Sequence, residues 1–201
     1  MRVSVDAQAG VQVVLPQRAP RREAAAAVAE LRPWIERRLA EAAAARARVA
    51  CEPGTVPYLG AALRVCLQEG RSRVHRRDGE LLVPAGDPRT ALERWYRRAA
   101  REEIALRLGP VTAALGHRHR GLTIRNQRTR WGSCSSTGTM SFNWRLLLAP
   151  EPVLDYVVEH EVAHLEVMDH SKRFWSLLES RVPDWRDHAA WLRRYGSTLA
   201  I

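Results

Sequence analysis

Lysine is almost absent from this chain: Lys172 is the only one, and arginine supplies the rest of its 32 basic side chains. A basic excess built that way, in an alanine-rich sequence, fits genome-wide codon bias as well as it fits a binding surface. The net charge of +10 therefore invites a nucleic-acid or anionic-membrane partner without establishing one. Cysteine is scarce too. Cys51, Cys66 and Cys134 are odd in number and share no CxxC spacing, which excludes a disulfide framework and a cysteine-based zinc knuckle. No apolar run approaches the roughly 18 residues of a membrane span. The opening MRVSVDAQAGVQVVL lacks the uninterrupted apolar core of a secretory signal. A cytoplasmic protein without membrane association is the expectation. Glycine and proline are also too few for a disordered chain, and 201 residues at 46% hydrophobic can bury a core in one to two domains.

What is present divides loosely near residue 86. Val3, Val5, Val11 and Val13 alternate about an Ala9-Gly10 turn, which predicts a short hairpin. Pro20 to about Val49 predicts one helix, with Leu31, Trp34, Ile35 and Leu39 at helical spacing. After a Pro/Gly linker from Cys51 to Pro57, residues 58–84 predict two or three strands, with an Asp78-Gly79 turn before the last. Asp87-Pro88 opens a helix carrying Leu92, Trp95, Tyr96 and Ala99 on one face, and Gly109-Pro110 is its expected end. Strands follow around Leu122–Ile124, Arg130–Cys134 and Thr139–Asn143, with a Ser135–Gly138 turn between the last two. Pro150 then starts another helix. The pattern predicts an α+β chain: a β-rich portion with one long helix over residues 1–86, then a domain over 87–201.

Residues 160–170 read HEVAHLEVMDH and hold three of the seven histidines. His160 and His164, four apart, lie about 40° from each other around a helix and can grip one metal ion. Glu161, about 100° round from His160, can reach a water on that metal without ligating it. Neutral imidazoles suit zinc, and a carboxylate beside zinc suits a general base that moves a proton from water to a leaving amine. With this chain's own frequencies, HExxH arises by chance with a probability of about 0.02. A catalytic zinc needs a third protein ligand. His170 would stand about 240° away on a continued helix, so it can ligate only if the helix stops after His164. Asp169, able to adopt a left-handed conformation, and Ser171, able to cap a new helix, offer that stop. Glu179, Asp184 and His188 are the alternative third ligands.

QRTRWGSCSSTGTMSFNWRLLLAP (127–150) followed by DYVVEHEVAHLEVMDHSKRFW (155–175) resembles the YgjP-like metallopeptidase family. VPYLG (56–60), LERWYRRAA (92–100) and PDWRDHAAWLR (183–193) fit as well, so the resemblance spans most of the chain. It implies a zincin-like metallopeptidase domain, with a small antiparallel sheet over the HExxH helix and a cytoplasmic setting. It also implies a zinc cofactor on His160, His164 and His170, with Glu161 as catalytic base. More distantly the chain is similar to the SprT and WLM groups, which include proteases of DNA–protein crosslinks. It shares the histidine spacing of HExxHxxGxxH metzincins but has Val167 in place of their glycine, and no Met-turn sequence follows.

In a zincin a peptide substrate pairs along an edge strand above the site helix, and Thr139–Asn143, or its neighbour, is the candidate here. Trp131 and Trp144 read as packing between sheet and helix, with Asn143 and Arg145 tying down loops. Arg130 is ambiguous in the same way. Gly132 and Gly138 read as turn or bulge residues, Cys134 as a buried small residue, and His117 and His119 as solvated loop residues. Tyr156, Arg145 and Tyr195 are candidates for stabilising a transition state. Residues 117–145 hold six arginines and no acidic residue, whereas 146–191 hold four basic and nine acidic residues. The metal helices are thus acidic and the segment before them basic. That pattern suits a peptidase acting on peptide or protein, with nucleic-acid association through 117–145. A nucleic-acid-binding module with structural zinc is the competing reading.

Overall fold

The computed structural model of the chain describes residues 1–6, 10–127 and 129–201. They form two units, Met1–Ala50 with Leu192–Leu199, and Cys51–Trp191 with Ala200–Ile201.

In the first unit the alternating valines pair β1 (Arg2–Asp6) antiparallel with β2 (Gly10–Val14), Val3 opposite Val13 and Val5 opposite Val11. The turn expected at Ala9-Gly10 falls partly on Ala9, outside the described residues. The single helix expected to Val49 is instead two, α1 (Arg21–Glu30) and α2 (Arg32–Val49), meeting at Leu31. Pro33, in the first turn of α2, has no N–H to donate, and its ring crowds the carbonyl four residues back, which favours a break at this point. Leu31 and Leu39 are exposed, while Ile35 and Ala45 of α2 are buried. The apolar stripe is narrower than its leucines suggest.

The second unit begins with two hairpins, β3 (Thr55–Tyr58) with β4 (Ala61–Gln68) and β5 (His75–Arg77) with β6 (Glu80–Pro84). β4 and β6 pair in parallel, giving the order β3-β4-β6-β5. Leu59-Gly60 and Asp78-Gly79 turn the hairpins with positive φ at both positions. That two-residue turn matches the twist of antiparallel strands, and glycine takes its second place without strain. Asp87 caps α3 (Pro88–Ala114), its Oδ1 accepting the Thr90 N–H at 3.2 Å. The face Leu92, Trp95, Tyr96, Ala99 is buried as its spacing predicts, with Tyr96 packed on Trp144 at 5.7 Å between ring centroids.

α3 passes through Gly109-Pro110 rather than ending there. Pro110 is exposed, so the Leu106 carbonyl that loses its helical partner lies on the wet face, where Leu106 itself is exposed. Thr112 Oγ1 donates to the Leu108 carbonyl at 2.6 Å just beyond. The division expected near residue 86 lies inside the second unit, because β6 and α3 pack on one another; the contact break falls after Ala50.

β7 (Gly121–Arg125), β8 (Gly132–Cys134) and β9 (Thr139–Asn143) form a sheet of order β7-β9-β8, with β9 parallel to β7 and antiparallel to β8. It is mixed, where an antiparallel sheet was expected. β8, next in the chain after β7, takes the far edge, and β9, following later, fills the central place. A 3₁₀ segment (Trp144–Leu148) leads to α4 (Glu151–Ala163), α5 (Lys172–Arg181) and α6 (Trp185–Tyr195). α4 packs against α3, β8 and α5, with Met140, Phe142, Leu154 and Leu108 fully buried. Among the described residues no helix is long and apolar enough to cross a membrane.

Candidate metal centre

α4 is apolar on most of its circumference: Val153, Leu154, Val157, Val158, Val162 and Ala163 are all buried. Two arginines fix its ends. Arg107 of α3, 16% exposed, bonds Glu151 at 2.5 Å and Asp155 at 2.6 Å in the first turns of α4. Arg181 of α5 bonds Glu159 at 2.5 Å, next to His160. A helix enclosed in this way carries Glu161 inward, leaving the carboxylate only 6% exposed. Buried carboxylates are rare unless hydrogen-bonded or functional.

The helix stops where ligation by His170 requires. His164 is its C-cap, and the N–H groups of Leu165, Glu166 and Val167 turn back onto the carbonyls of Val162 and Ala163 at 2.9–3.1 Å. The left-handed residue expected at Asp169 is not found, since positive φ outside glycine occurs among the described residues at Leu59 and Asp78 alone. Asp169 works through its side chain instead, its Oδ1 accepting the Ser171 N–H at 3.2 Å. Ser171 stands at the N-cap of α5, although its hydroxyl makes no capping bond.

This turn brings His160, His164 and His170 together, with one ring nitrogen from each within 4.8 Å of the others. The alternative third ligands are engaged elsewhere. Glu179 pairs with Arg186, and Asp184 pairs with His188, whose ring lies against Tyr156. His164 Nδ1 is 3.0 Å from the Val167 carbonyl. A carbonyl can only accept, so Nδ1 carries the proton and Nε2 keeps its lone pair. The Nε2 atoms of His160 and His170 are 3.2 Å apart. Two nitrogens bound tetrahedrally at 2.0–2.1 Å from one zinc would sit roughly 3.3 Å apart, so the donor set fits such an ion. Burial first, then the neighbouring imidazoles, pushes His160 down to about 4 and keeps it neutral, the form that ligates. Burial and His170 likewise lower His164, against the bond to Val167. His160 Nδ1 is buried with no hydrogen-bond partner among the described residues, so ring packing orients His160.

That packing was not anticipated from the sequence. Phe174 of α5 touches all three imidazoles, with centroids at 4.9, 4.5 and 4.8 Å, and stacks on His164. Trp175 lies between His170 at 5.4 Å and Trp185 at 4.4 Å, stacked on both. The i, i+4 pair Phe174 and Leu178, both fully buried, is the sequence signal that an aromatic faces inward directly after the third histidine.

The imidazoles and Glu161 line a cleft of about 300 Å³ whose other wall is β8. Burial pushes the Glu161 carboxyl up to about 7, against the pull of the Cys134 N–H, which donates to it, and of Arg130. Gly132 is neither turn nor bulge. A Cβ there would fall 2.5 Å from Glu161 Oε1, so the missing side chain is the space that the carboxylate occupies. Burial and the charge of Glu161 raise the Cys134 thiol to about 11, consistent with an inert small residue. Trp144 is core, 1% exposed. Asn143 and Arg145 tie down the 126–131 loop, through Gln127 and Asn126 respectively. None of Tyr156, Arg145 and Tyr195 lines the cleft, and Arg130 does.

The sequence model described as YgjP-like, metallopeptidase domain, matches residues 1–195 of the chain. No curated protein matches it. Among solved structures the chain is similar to the metallopeptidase zymogen of Pyrococcus abyssi abylysin, at 25% identity and a TM-score of 0.39, covering 45% of this chain and 96% of that one.

Proposed function

Because this chain belongs to the YgjP-like metallopeptidase family, we propose that it is a zinc peptidase of the zincin kind, with the ion on His160, His164 and His170 and Glu161 as general base. The observation that carries the reading is the convergence of three imidazoles and one buried carboxylate on a single cleft. Zinc held there would supply a water of lowered pKa and a Lewis acid for the scissile carbonyl. Glu161 takes the proton of the attacking water and returns it to the departing amine nitrogen. Gly132 and the Cys134 N–H hold that carboxylate in place while it does so. The 3.0 Å bond from His164 to the Val167 carbonyl holds one ring in the tautomer that presents Nε2.

The substrate lies along β8. β9 is the central strand of its sheet and has no free edge, whereas β8 is an edge strand and lines the cleft. Main-chain bonds to β8 would set an extended peptide across the imidazoles. Glu161→Gln is the direct test: the variant keeps one zinc per chain and loses peptide hydrolysis. Hydrolysis at the wild-type rate would remove the base assignment.

A second reading, a DNA-associated peptidase, draws on the basic segment, where Arg118, Arg120 and Arg125 are exposed. Duplex DNA that stimulates hydrolysis and binds less tightly as salt rises supports it; no binding at low salt dismisses it.

A further inference from the structure

Among the described residues, Arg130 is the one cationic side chain, other than the histidines, on the wall of the cleft, and Glu161 is the one carboxylate there. Unlike Arg107 and Arg181, whose guanidinium groups are spent on carboxylates of α4, Arg130 forms no ion pair among the described residues. It acts on Glu161 through its field, at a distance beyond direct contact.

Its backbone is fastened. Asn143, 3% exposed, donates from Nδ2 to the carbonyls of Gln127 at 2.6 Å and Arg130 at 3.4 Å, and its own N–H donates to the Trp131 carbonyl at 2.8 Å. The Asn143 Oδ1 is itself held by the Arg145 N–H at 3.1 Å. The side-chain amide and the backbone N–H of one buried residue thus pin the chain at Arg130 and on both sides of it, just before β8. A long cationic side chain is presented from a fixed origin, at the start of the strand along which the peptide is proposed to lie. The surrounding segment adds to its sign, since residues 117–145 hold no acidic residue.

We propose that Arg130 is a specificity-determining residue that binds a substrate carboxylate close to the scissile bond, so that the preferred substrates are acidic peptides. The inference rests on the peptidase reading of the same cleft. Arg130 is exposed and free to meet a substrate; a guanidinium grips a carboxylate with two parallel hydrogen bonds, which neither a carboxamide nor a lysine ammonium on the peptide can satisfy. The carboxylate can come from an Asp or Glu side chain or from the peptide's own C-terminus, and the chemistry at Arg130 is the same for both.

The test uses the full zinc-loaded chain and matched peptides that differ only in a Glu/Gln or Asp/Asn pair beside the cleaved bond, all amidated at the C-terminus. A further arm carries a free C-terminal carboxylate. The wild type is expected to favour the acidic member by about tenfold in kcat/KM. Arg130→Gln abolishes that ratio, costing the acidic member of each pair about tenfold more in kcat/KM than any loss common to both members, and Arg130→Glu shifts the preference to lysine-bearing peptides. A ratio restored only in the free-carboxylate arm assigns the site to peptide C-termini. An Arg130→Gln loss shared equally by both members of each pair would overturn the proposal and leave Arg130 a partner of Glu161 alone; so would a ratio that survives the substitution. The same pairs are titrated by fluorescence onto the Glu161→Gln protein with and without Arg130→Gln. A charge-dependent Kd that vanishes with Arg130, when the zinc-loaded wild type cleaves none of the peptides, would sink the peptidase reading and keep this one.

Discussion

Gly132 and Glu161 share one space: a methyl group on Gly132 would stand 2.5 Å from the carboxylate oxygen and 2.6 Å from Cγ of Glu161. Strand and helix approach so closely that only hydrogen fits between them. Gly132→Ala is therefore expected to displace the carboxylate from the Cys134 N–H while leaving the three imidazoles untouched. Zinc stoichiometry stays at the wild-type value and kcat falls by about a hundredfold, the cost of misplacing a reacting group by roughly an ångström. An alanine variant as active as the wild type would show that Glu161 does not act from this position.

Phe174 fills the space between the three imidazole rings. Phe174→Ala is expected to lower stability by about 3–5 kcal/mol, as for other fully buried phenylalanines, and to weaken zinc by about tenfold or more as the imidazoles lose their common wall. Phe174→Leu keeps the fold and still weakens zinc. Thermal denaturation separates the first effect, and competition with a chelator measures the second. Unchanged zinc affinity in the leucine variant would show that His160 is oriented by something else.

The third ligand can be assigned by subtraction. His170→Ala is expected to lose bound zinc, whereas His188→Ala keeps it, because His188 Nε2 is bonded to Asp184 at 3.1 Å and stands apart from the cluster. Metal analysis of the two purified variants decides. The opposite result would move the site to α6.

Alkaline stability follows from Tyr58. Burial, and then the bond from its hydroxyl to Glu103 at 2.9 Å, pushes its phenol up to about 12 from an ordinary value of 10.0. The folded state favours the neutral phenol, so its contribution is whole below pH 10 and is lost as pH rises toward 12. Buried Tyr96 is shifted in the same direction. Denaturant midpoints are expected to fall more steeply between pH 10 and 12 for the wild type than for Tyr58→Phe. Parallel curves would mean that Tyr58 ionises freely in the folded chain.

The clustering of His160, His164 and His170 was legible because HExxH and a histidine six positions on obey helical arithmetic, and that arithmetic demands a stop after His164 for the third ring to join. The stop occurs, yet its device was misread. Asp169 acts by a side-chain hydrogen bond rather than by a left-handed backbone, and no local pattern separates the two. Pro33 and Pro110 show the same limit. Pro33 lies inside one expected helix and splits it, while Pro110, expected to end a helix, is carried within one, though both are exposed. The roles of Gly132 and Phe174 lay beyond pattern reading. Both depend on what α4 and α5 bring near, and spacing along the chain does not encode distance across it.

The division of the chain has a consequence for its synthesis. Leu192–Leu199 count with Met1–Ala50, while everything between Cys51 and Trp191 belongs to the other unit. On a ribosome adding about 5–20 residues per second, the first fifty residues wait roughly seven to thirty seconds for the piece that completes their unit. In that interval all of β8, α4 and α5 have been made. The residues of the candidate metal centre are thus all synthesised before the first unit has all of its sequence.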